Sequence, residues 1–316
     1  MRRALAPAAV AAVTLGALAL AWAGPQWLVF LLTLAIAKGV VVLGLLLLMR
    51  TGLVSFGQGL YFGLGAYAAA LLGHWGGLED AALMLLACAA GAGVIAALLG
   101  VLLARYRDIF FAMLSLAFSM ILYGLLVKSS TLGSTDGFNL HARAFAGMAL
   151  AGGTERRVAL AAGVVAALTA AWLLHRLLAG HWGRVSTAIR DNELRVDYLG
   201  ASVFRVVYVN YVIAAALAGL GGALAALAVG HVDPDTTYWT TSGEFVFVAV
   251  LGGTGNVIAP FLAAGVFEAV RTLANQYAPN VWQMTLGIVM LLLIFFLPAG
   301  LWSLVARKKA GAKVAG

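Results

Sequence analysis

The sequence predicts an all-α protein, a polytopic transmembrane helical bundle. Of its 316 residues, 63% are hydrophobic and only 10% are charged, and the mean hydropathy is +1.00, whereas about 45–50% of a soluble domain is apolar even when glycine is counted. The apolar runs are close to the roughly 20 residues of a membrane-spanning helix and lack the alternating polarity of barrel strands. We therefore expect about 8–10 membrane segments in a single transmembrane domain, residues 1–316.

The order of the apolar runs gives the order of the predicted segments. The first run could instead be a secretory signal peptide, since two arginines precede it and residues 21–23 (AWA) resemble a cleavage site, but it exceeds the roughly 7–15 apolar residues of such peptides, so we expect a retained span. The run at 243–251 is too short to cross a hydrocarbon core of about 30 Å, which predicts a broken or re-entrant hairpin turning at residues 251–256. The runs cover residues 4–23, 27–49, 52–72, 81–104, 109–128, 157–178, 206–229, 243–251, 257–275 and 281–305.

Basic residues are distributed unequally between the two sides of this predicted bundle. With the N-terminus inside and each run reversing the direction of the chain, most of the 20 Lys and Arg residues fall on one side, which the positive-inside rule makes cytoplasmic. The net charge of +8 then reflects membrane orientation, and we expect no nucleic acid partner. Arg271 falls near a span end on the opposite side.

The longest cytoplasmic loop, residues 179–205, is a charged island. Seven charges between residues 183 and 205 would cost on the order of 20 kcal/mol in lipid, at about 3 kcal/mol each, so the segment stays outside the hydrocarbon. Its apolar residues recur at three- and four-residue spacings, which predicts an amphipathic helix that lies on the membrane or enters a groove of a partner. These residues are Val185, Ala188, Ile189, Val196 and Leu199. A solvated loop helix remains an equal alternative at this point.

Three ionisable residues fall inside the predicted spans, where each is by default a functional-site hypothesis. Lys38 lies in the middle of the second run, and it could pair with Glu244 or Glu268. A structural ion pair and a place in a transport path both remain open.

Five polar residues are further candidates for a path. Ser55, Gln58 and Tyr61 are spaced three apart and would share one helix face. Thr254 and Asn256 lie in the predicted break, and backbone groups freed by a break are tolerated at membrane depth only where protein or a watery cavity meets them.

Motifs of catalysis or nucleotide binding do not occur. None of the lysines follows a glycine-led phosphate loop, and neither GxSxG nor HExxH is present. Cys88 is the single cysteine, so no thiolate cluster can form. We therefore expect no catalytic residue, no bound cofactor and no metal, and transport is the favoured function.

Several segments, in order, resemble one family. They are "TGLVSFGQGLYFGLGAYAAALL" (51–72), "DIFFAMLSLAFSMIL" (108–122), "STDG" (134–137), "GRVSTAIRDNELRVDYLGASVFR" (183–205), "LGGTGNVIAP" (251–260) and "LPAGLW" (297–302). Together they resemble the branched-chain amino-acid (Liv-type) permease subunits of bacterial ATP-binding cassette importers, in particular the longer of the two Liv-type subunits.

The resemblance implies a non-enzymatic inner-membrane subunit that moves branched-chain amino acids or related small polar solutes. Its partners would be a second related permease, two cytoplasmic ATPases that use ATP, and a periplasmic substrate-binding protein, all within membrane lipid. Residues 179–205 would then be the cytoplasmic coupling loop. By position, the residues that contact or shape the ATPase interface would be Arg184, Arg190, Asp191, Asn192, Glu193 and Gly200.

Two alternatives stay open from the sequence. In an ion-coupled secondary transporter or channel, Lys38, Glu244 and Glu268 would form an ion or proton relay. In a membrane scaffold subunit, the chain would carry no path of its own.

Overall fold

A computed structural model of the chain describes residues 24–77, 80–140, 144–145, 148–149, 155–297 and 300–302. The first predicted run, residues 4–23, lies outside them. Within these ranges the chain is almost entirely helical, with two pairs of two-residue strands in loops, as the all-α prediction requires. The helices are α1 (Gln26–Met49), α2 (Gln58–His74), α3 (Ala81–Leu103), α4 (Asp108–Lys128), α5 (Glu155–Ala179), α6 (His181–Asp191), α7 (Glu193–Tyr198), α8 (Val203–Val229), α9 (Trp239–Gly252), α10 (Ala259–Tyr277) and α11 (Trp282–Phe296); the strands are β1 (Phe138–Asn139), β2 (Ala144–Phe145), β3 (Met148–Ala149) and β4 (His231–Val232).

Five of the described helices, α1, α3, α4, α5 and α8, are long and apolar enough to cross a membrane. The short run predicted at 243–251 forms α9, which has 14 residues. At about 1.5 Å per residue it is about 21 Å long, less than a hydrocarbon core of about 30 Å. Helices α2 and α11, with 17 and 15 residues, are also shorter than such a core, so α9 is one of several short helices among the described residues.

Helix α8 is the centre of the bundle and packs along α1, α2 and α3. Its small residues allow neighbouring backbones to approach closely. A side chain at Gly44 of α1 would meet the Ala214 carbonyl oxygen at 2.8 Å, and one at Gly221 would meet the Ala37 carbonyl oxygen at 2.6 Å. Gly222 abuts the Phe62 carbonyl of α2 in the same way. The close-packing interpretation of the α8 glycines is confirmed.

A short segment that is not α-helical enters the bundle just before α9. Thr237 ends a short 3-10 helix, Pro234–Thr237, is fully buried, and its carbonyl oxygen accepts a hydrogen bond of 2.7 Å from Ser119 Oγ, near the middle of α4. The α2 glycines pack here, since the Gly59 N–H donates to Ser242 Oγ at 2.9 Å and Gly63 abuts Thr237. Hydrogen bonds from and to side chains thus occupy polar backbone groups inside the bundle.

The two ends of the bundle have different contacts. At one end β1 pairs with β4, which joins the loops after α4 and α8. At the other end, Arg107 contacts Glu193 and a side chain at Gly52 would touch Arg190, so residues that the charge rule makes cytoplasmic lie together. The predicted turn at 251–256 follows α9, and Arg50 Nη2 donates to the Thr254 carbonyl at 2.8 Å. The turn therefore lies at the end of α1 and not beside its middle.

Candidate functional site

Four charged side chains meet inside the bundle, and we call them the charge cluster: Lys38, Glu244, Glu268 and Arg271. Lys38 Nζ lies 2.6 Å from Glu268 Oε1 and 3.0 Å from Glu244 Oε2. Arg271 Nη1 lies 3.5 Å from Glu244 Oε2 and 3.8 Å from Glu268 Oε1. Lys38 therefore pairs with both glutamates that the sequence offered, and the cluster has no net charge.

The charge cluster lies at the depth of the middle of α1. Lys38 is twelve residues from the start of α1 and eleven from its end, which at about 1.5 Å per residue places it near the midplane of a roughly 30 Å core. Ionised groups at that depth need partners or water. Their exposure differs: the Lys38 and Glu268 side chains are 7% and 4% exposed, while those of Glu244 and Arg271 are 22% and 38% exposed.

Arg271 was missing from the sequence-based candidates. It lies three residues after Glu268 on α10, a spacing that puts two side chains on neighbouring positions of one helix face. That spacing was the available signal, because a buried Glu with a cation at i+3 favours a local pair.

An open cavity of about 640 Å³ adjoins the charge cluster. Its lining comes from α9, α10 and α11, mostly aromatic and aliphatic, and Glu244 contributes the one ionisable side chain among the described residues that line it. Phe267 lines the cavity and also carries Lys38 Nζ 4.9 Å from its ring centroid. The Phe267 ring thus lies between Lys38 and the cavity, whereas Glu244 faces it.

The polar face predicted on α2 is buried. Tyr61 Oη shares a 2.7 Å hydrogen bond with Tyr211 Oη, and Ser55 Oγ accepts from the Gly57 N–H at 3.2 Å. Gln58 differs, because neither polar atom of its side-chain amide has a hydrogen-bond partner among the described residues. A buried amide in this state costs free energy unless water or a solute meets it. Gln58 is thus the member of this face with free hydrogen-bonding capacity, and the path role of all three residues stays a prediction.

The two residues predicted in the break have local contacts. Asn256 Oδ1 accepts from the Ile258 N–H at 3.1 Å, which closes the turn before α10, and the Thr254 carbonyl is held by Arg50. A path role for Thr254 and Asn256 stays a prediction.

The charged island forms two helices, α6 and α7, and together with Leu199 and Gly200 we call them the coupling segment (residues 181–200). Asn192 separates them with an extended backbone, φ −165°, and its Oδ1 accepts from the Arg195 N–H at 2.9 Å. The predicted amphipathic helix is therefore present as two helices instead of one. Of its apolar residues, Ile189 and Val196 are buried, but Ala188 and Leu199 are exposed.

Polar contacts anchor the coupling segment to the membrane helices. Asn210 of α8 accepts from Trp182 Nε1 at 2.8 Å and donates to Ser186 Oγ at 3.1 Å. Arg107, at the start of α4, donates from Nε to Glu193 Oε1 at 2.7 Å. Sequence reasoning missed Asn210 and Arg107, although a polar residue such as Asn210 within an apolar run was a signal.

The opposite surface of the coupling segment faces outward. Leu194, Tyr198 and Leu199 are 71%, 90% and 81% exposed, and such apolar exposure beside charged residues is typical of a protein interaction site. Gly200 ends the segment with φ +83°, a conformation that favours glycine. Of the residues predicted at the ATPase interface, Arg184, Arg190, Asp191, Asn192 and Gly200 are exposed and Glu193 is partly buried.

Comparison with known proteins places this arrangement in context. The sequence profile of the family described as "Branched-chain amino acid transport system / permease component" matches residues 27–297. The "High-affinity branched-chain amino acid transport system permease protein LivM" of Escherichia coli (strain K12) is 30% identical over 278 residues, and that of Salmonella typhimurium (strain LT2) is 29% identical. These alignments cover 79% of this chain but 64% of each relative, so the chain spans less than two thirds of their length.

A more distant relative is the "Probable branched-chain amino acid transport permease protein LivM" of Methanocaldococcus jannaschii. It is 29% identical over 140 residues, which cover 40% of this chain and 41% of that protein. No solved structure matches the chain.

Proposed function

Because the chain belongs to the family of branched-chain amino acid transport permeases, we propose that it is the permease subunit of an ATP-binding cassette importer. It moves branched-chain amino acids or related small polar solutes across the bacterial inner membrane, which its apolar helices cross several times. The chain carries no catalytic residue and no cofactor. It works with a second related permease, two cytoplasmic ATPases that use ATP, and a periplasmic substrate-binding protein.

The observation that carries this proposal is the coupling segment. Its inner side is fixed to α8 through Asn210 and to α4 through Arg107, while its outer side exposes Leu194, Tyr198 and Leu199. A chain without a phosphate-binding loop must receive the energy of ATP through contact with another subunit. An exposed helical segment that is firmly held by the membrane helices suits that contact.

The packing also suggests how motion reaches the centre of the bundle. Asn210 lies on α8, which packs closely against α1 at two points, Gly44 of α1 and Gly221 of α8. Helix α1 carries Lys38, a member of the charge cluster. Because such close-packed helices move as one unit, displacement of the coupling segment is transmitted to the charge cluster.

Reconstitution in liposomes tests the proposal. We expect uptake of radiolabelled L-leucine only when the second permease, the ATPases, ATP and the binding protein are all present. The control is the same assembly with a non-hydrolysable ATP analogue. Uptake by this chain alone, driven by an ion gradient, would contradict the proposal.

The charge cluster favours a second candidate function, an ion-coupled secondary transporter or channel, because paired carboxylates and cations near the midplane also form ion relays. The same liposomes separate the two. In this alternative, a proton or sodium gradient drives uptake by the chain alone, and Glu244→Gln abolishes it.

A further inference from the structure

We propose that the cavity beside the charge cluster binds a zwitterionic amino acid with a bulky apolar side chain, holding its ammonium at Glu244 and its carboxylate at Arg271. This assignment rests on the proposed function and adds to it the residues that hold the solute in this part of the transport path.

The charge cluster consists of an inner and an outer pair. Lys38 and Glu268 are almost fully buried and lie 2.6 Å apart, so they form an ion pair within the protein. Glu244 and Arg271 are 22% and 38% exposed and lie 3.5 Å apart. The outer pair is therefore the part of the cluster that a ligand can reach.

Both members of the outer pair keep unused hydrogen-bonding capacity. Lys38 and Arg271 both approach the same oxygen of Glu244, Oε2, which leaves Oε1 to accept from a ligand ammonium. Arg271 uses Nη1 in both of its ion pairs, while a guanidinium has five N–H donors. Its remaining donors have the planar geometry that a carboxylate accepts.

The signs of the two charges specify the ligand. A simple cation at Glu244 would be repelled by Arg271, and a simple anion at Arg271 would be repelled by Glu244. An α-amino acid carries its ammonium and carboxylate on one carbon, so it places one charge near each partner. Binding of a zwitterion leaves the cluster without net charge. This matters near the midplane, where an uncompensated charge is costly.

The walls of the cavity supply the apolar part of the site. Trp239 and Phe247 come from α9, and Trp282, Leu286 and Met290 come from α11. The cavity volume of about 640 Å³ lies within the roughly 300–1,000 Å³ of small-molecule sites, which combine apolar walls with a few polar groups. Arg271 is not one of the lining residues, but its guanidinium carbon lies 5.4 Å from the ring centroid of Trp282, which lines the cavity, so Arg271 lies beside the apolar wall.

Protection of a thiol in the cavity tests the proposal with the full chain in membrane vesicles. Cys88 is the single cysteine, so a Cys88→Ala chain provides the background. Gly287 lines the cavity, and a side chain there meets nothing within 4 Å, so Gly287→Cys adds a reporter without a clash. Gly124→Cys on α4 is the matched control, since its side chain also meets nothing within 4 Å and lies outside the cavity lining.

The rate of labelling by a methanethiosulfonate reagent is measured with four probes. We expect L-leucine to slow labelling at position 287 by about threefold or more and to leave position 124 unchanged. We expect 4-methylpentanoate, which lacks the ammonium, 3-methylbutylamine, which lacks the carboxylate, and glycine, which lacks the side chain, to need about tenfold higher concentrations. An unreactive position 287, no effect of L-leucine, or equal protection by 4-methylpentanoate would overturn the proposal.

Substitutions in the Gly287→Cys chain test the two charged contacts. We expect Glu244→Gln and Arg271→Gln each to raise the L-leucine concentration needed for protection by about tenfold. Arg105→Gln, at an exposed arginine after α3, is the matched control and keeps the original concentration. Unchanged protection in both cluster variants would overturn the assignment. If a variant fails to reach the membrane, the probe series in the unsubstituted cluster decides.

Failure of this proposal is distinguishable from failure of the proposed function. ATP-dependent uptake by the complete assembly without protection at position 287 would remove the binding site and leave the importer function. Protection at position 287 without any dependence of uptake on the ATPases would remove the importer function and leave the binding site.

Discussion

Reversing the charge of Glu193 separates coupling from stability. Glu193 Oε1 lies 2.7 Å from Arg107 Nε, and the two side chains are 38% and 23% exposed. A partly exposed ion pair of this kind contributes about 0.2–1 kcal/mol. Arg107 keeps its other hydrogen bonds, from Nη1 to the carbonyls of Ala104 and Tyr106 at 2.7 and 2.9 Å. Glu193→Arg therefore leaves the fold intact while it repels the start of α7 from α4.

We expect Glu193→Arg to lower ATPase co-purification and uptake several-fold, while docking of the binding protein on the outer face is unchanged. Thermal unfolding in detergent checks that the fold is retained. Asp136→Arg, at an exposed carboxylate after α4, is the control for an added positive charge. Wild-type ATPase association and uptake in Glu193→Arg would refute the assignment of the coupling segment.

The double variant Arg107→Glu, Glu193→Arg identifies what Glu193 does. If Glu193 acts by positioning α7, the exchanged pair restores uptake because the 2.7 Å contact re-forms with opposite polarity. If Glu193 contacts the ATPase directly, the exchange re-forms the ion pair but does not restore ATPase association. We expect restoration, since Glu193 already has a partner within the chain.

Three further substitutions test charge and packing. Lys38→Met removes the buried partner of Glu244 and Glu268, at a cost of about 3–5 kcal/mol. We expect a lower unfolding temperature, which the added substitution Glu268→Gln partly restores. An unchanged temperature would contradict the ion pairs. Gly65→Leu drives a side chain into the α8 backbone and should deplete folded chain in the membrane fraction. A Cβ at Gly124 meets nothing within 4 Å, so Gly124→Leu should not. Asn210→Leu leaves the buried Ser186 hydroxyl and the partly buried Trp182 indole without their partner, at about 1–3 kcal/mol for the buried group. We expect weaker ATPase co-purification, and full association would argue against the anchor.

The long helices follow from the sequence because the membrane sets their length, and a run of about 20 apolar residues has few other stable conformations. The partners of their small residues do not follow in the same way. The spacing of Gly59 and Gly63 predicts close approach, but it does not say that the neighbour is the irregular segment at Thr237. Likewise the spacings in the coupling segment assume one helix, and the break at Asn192 changes which residues are buried. Tertiary contacts decide these points, and periodicity alone does not contain them.

The charge cluster shows what charge balance adds to such reasoning. One lysine and two glutamates within spans leave a net negative charge near the midplane, which is costly if it is uncompensated. A second cation within reach of the glutamates is therefore required, and Arg271 stands three residues after Glu268 on the same helix. The sequence thus contained the fourth member of the cluster. It did not show that Lys38 pairs with both glutamates and not with one of them, as the contacts of Lys38 Nζ do. The sequence alone does not contain the difference in exposure, which separates the buried pair Lys38 and Glu268 from the more exposed pair Glu244 and Arg271.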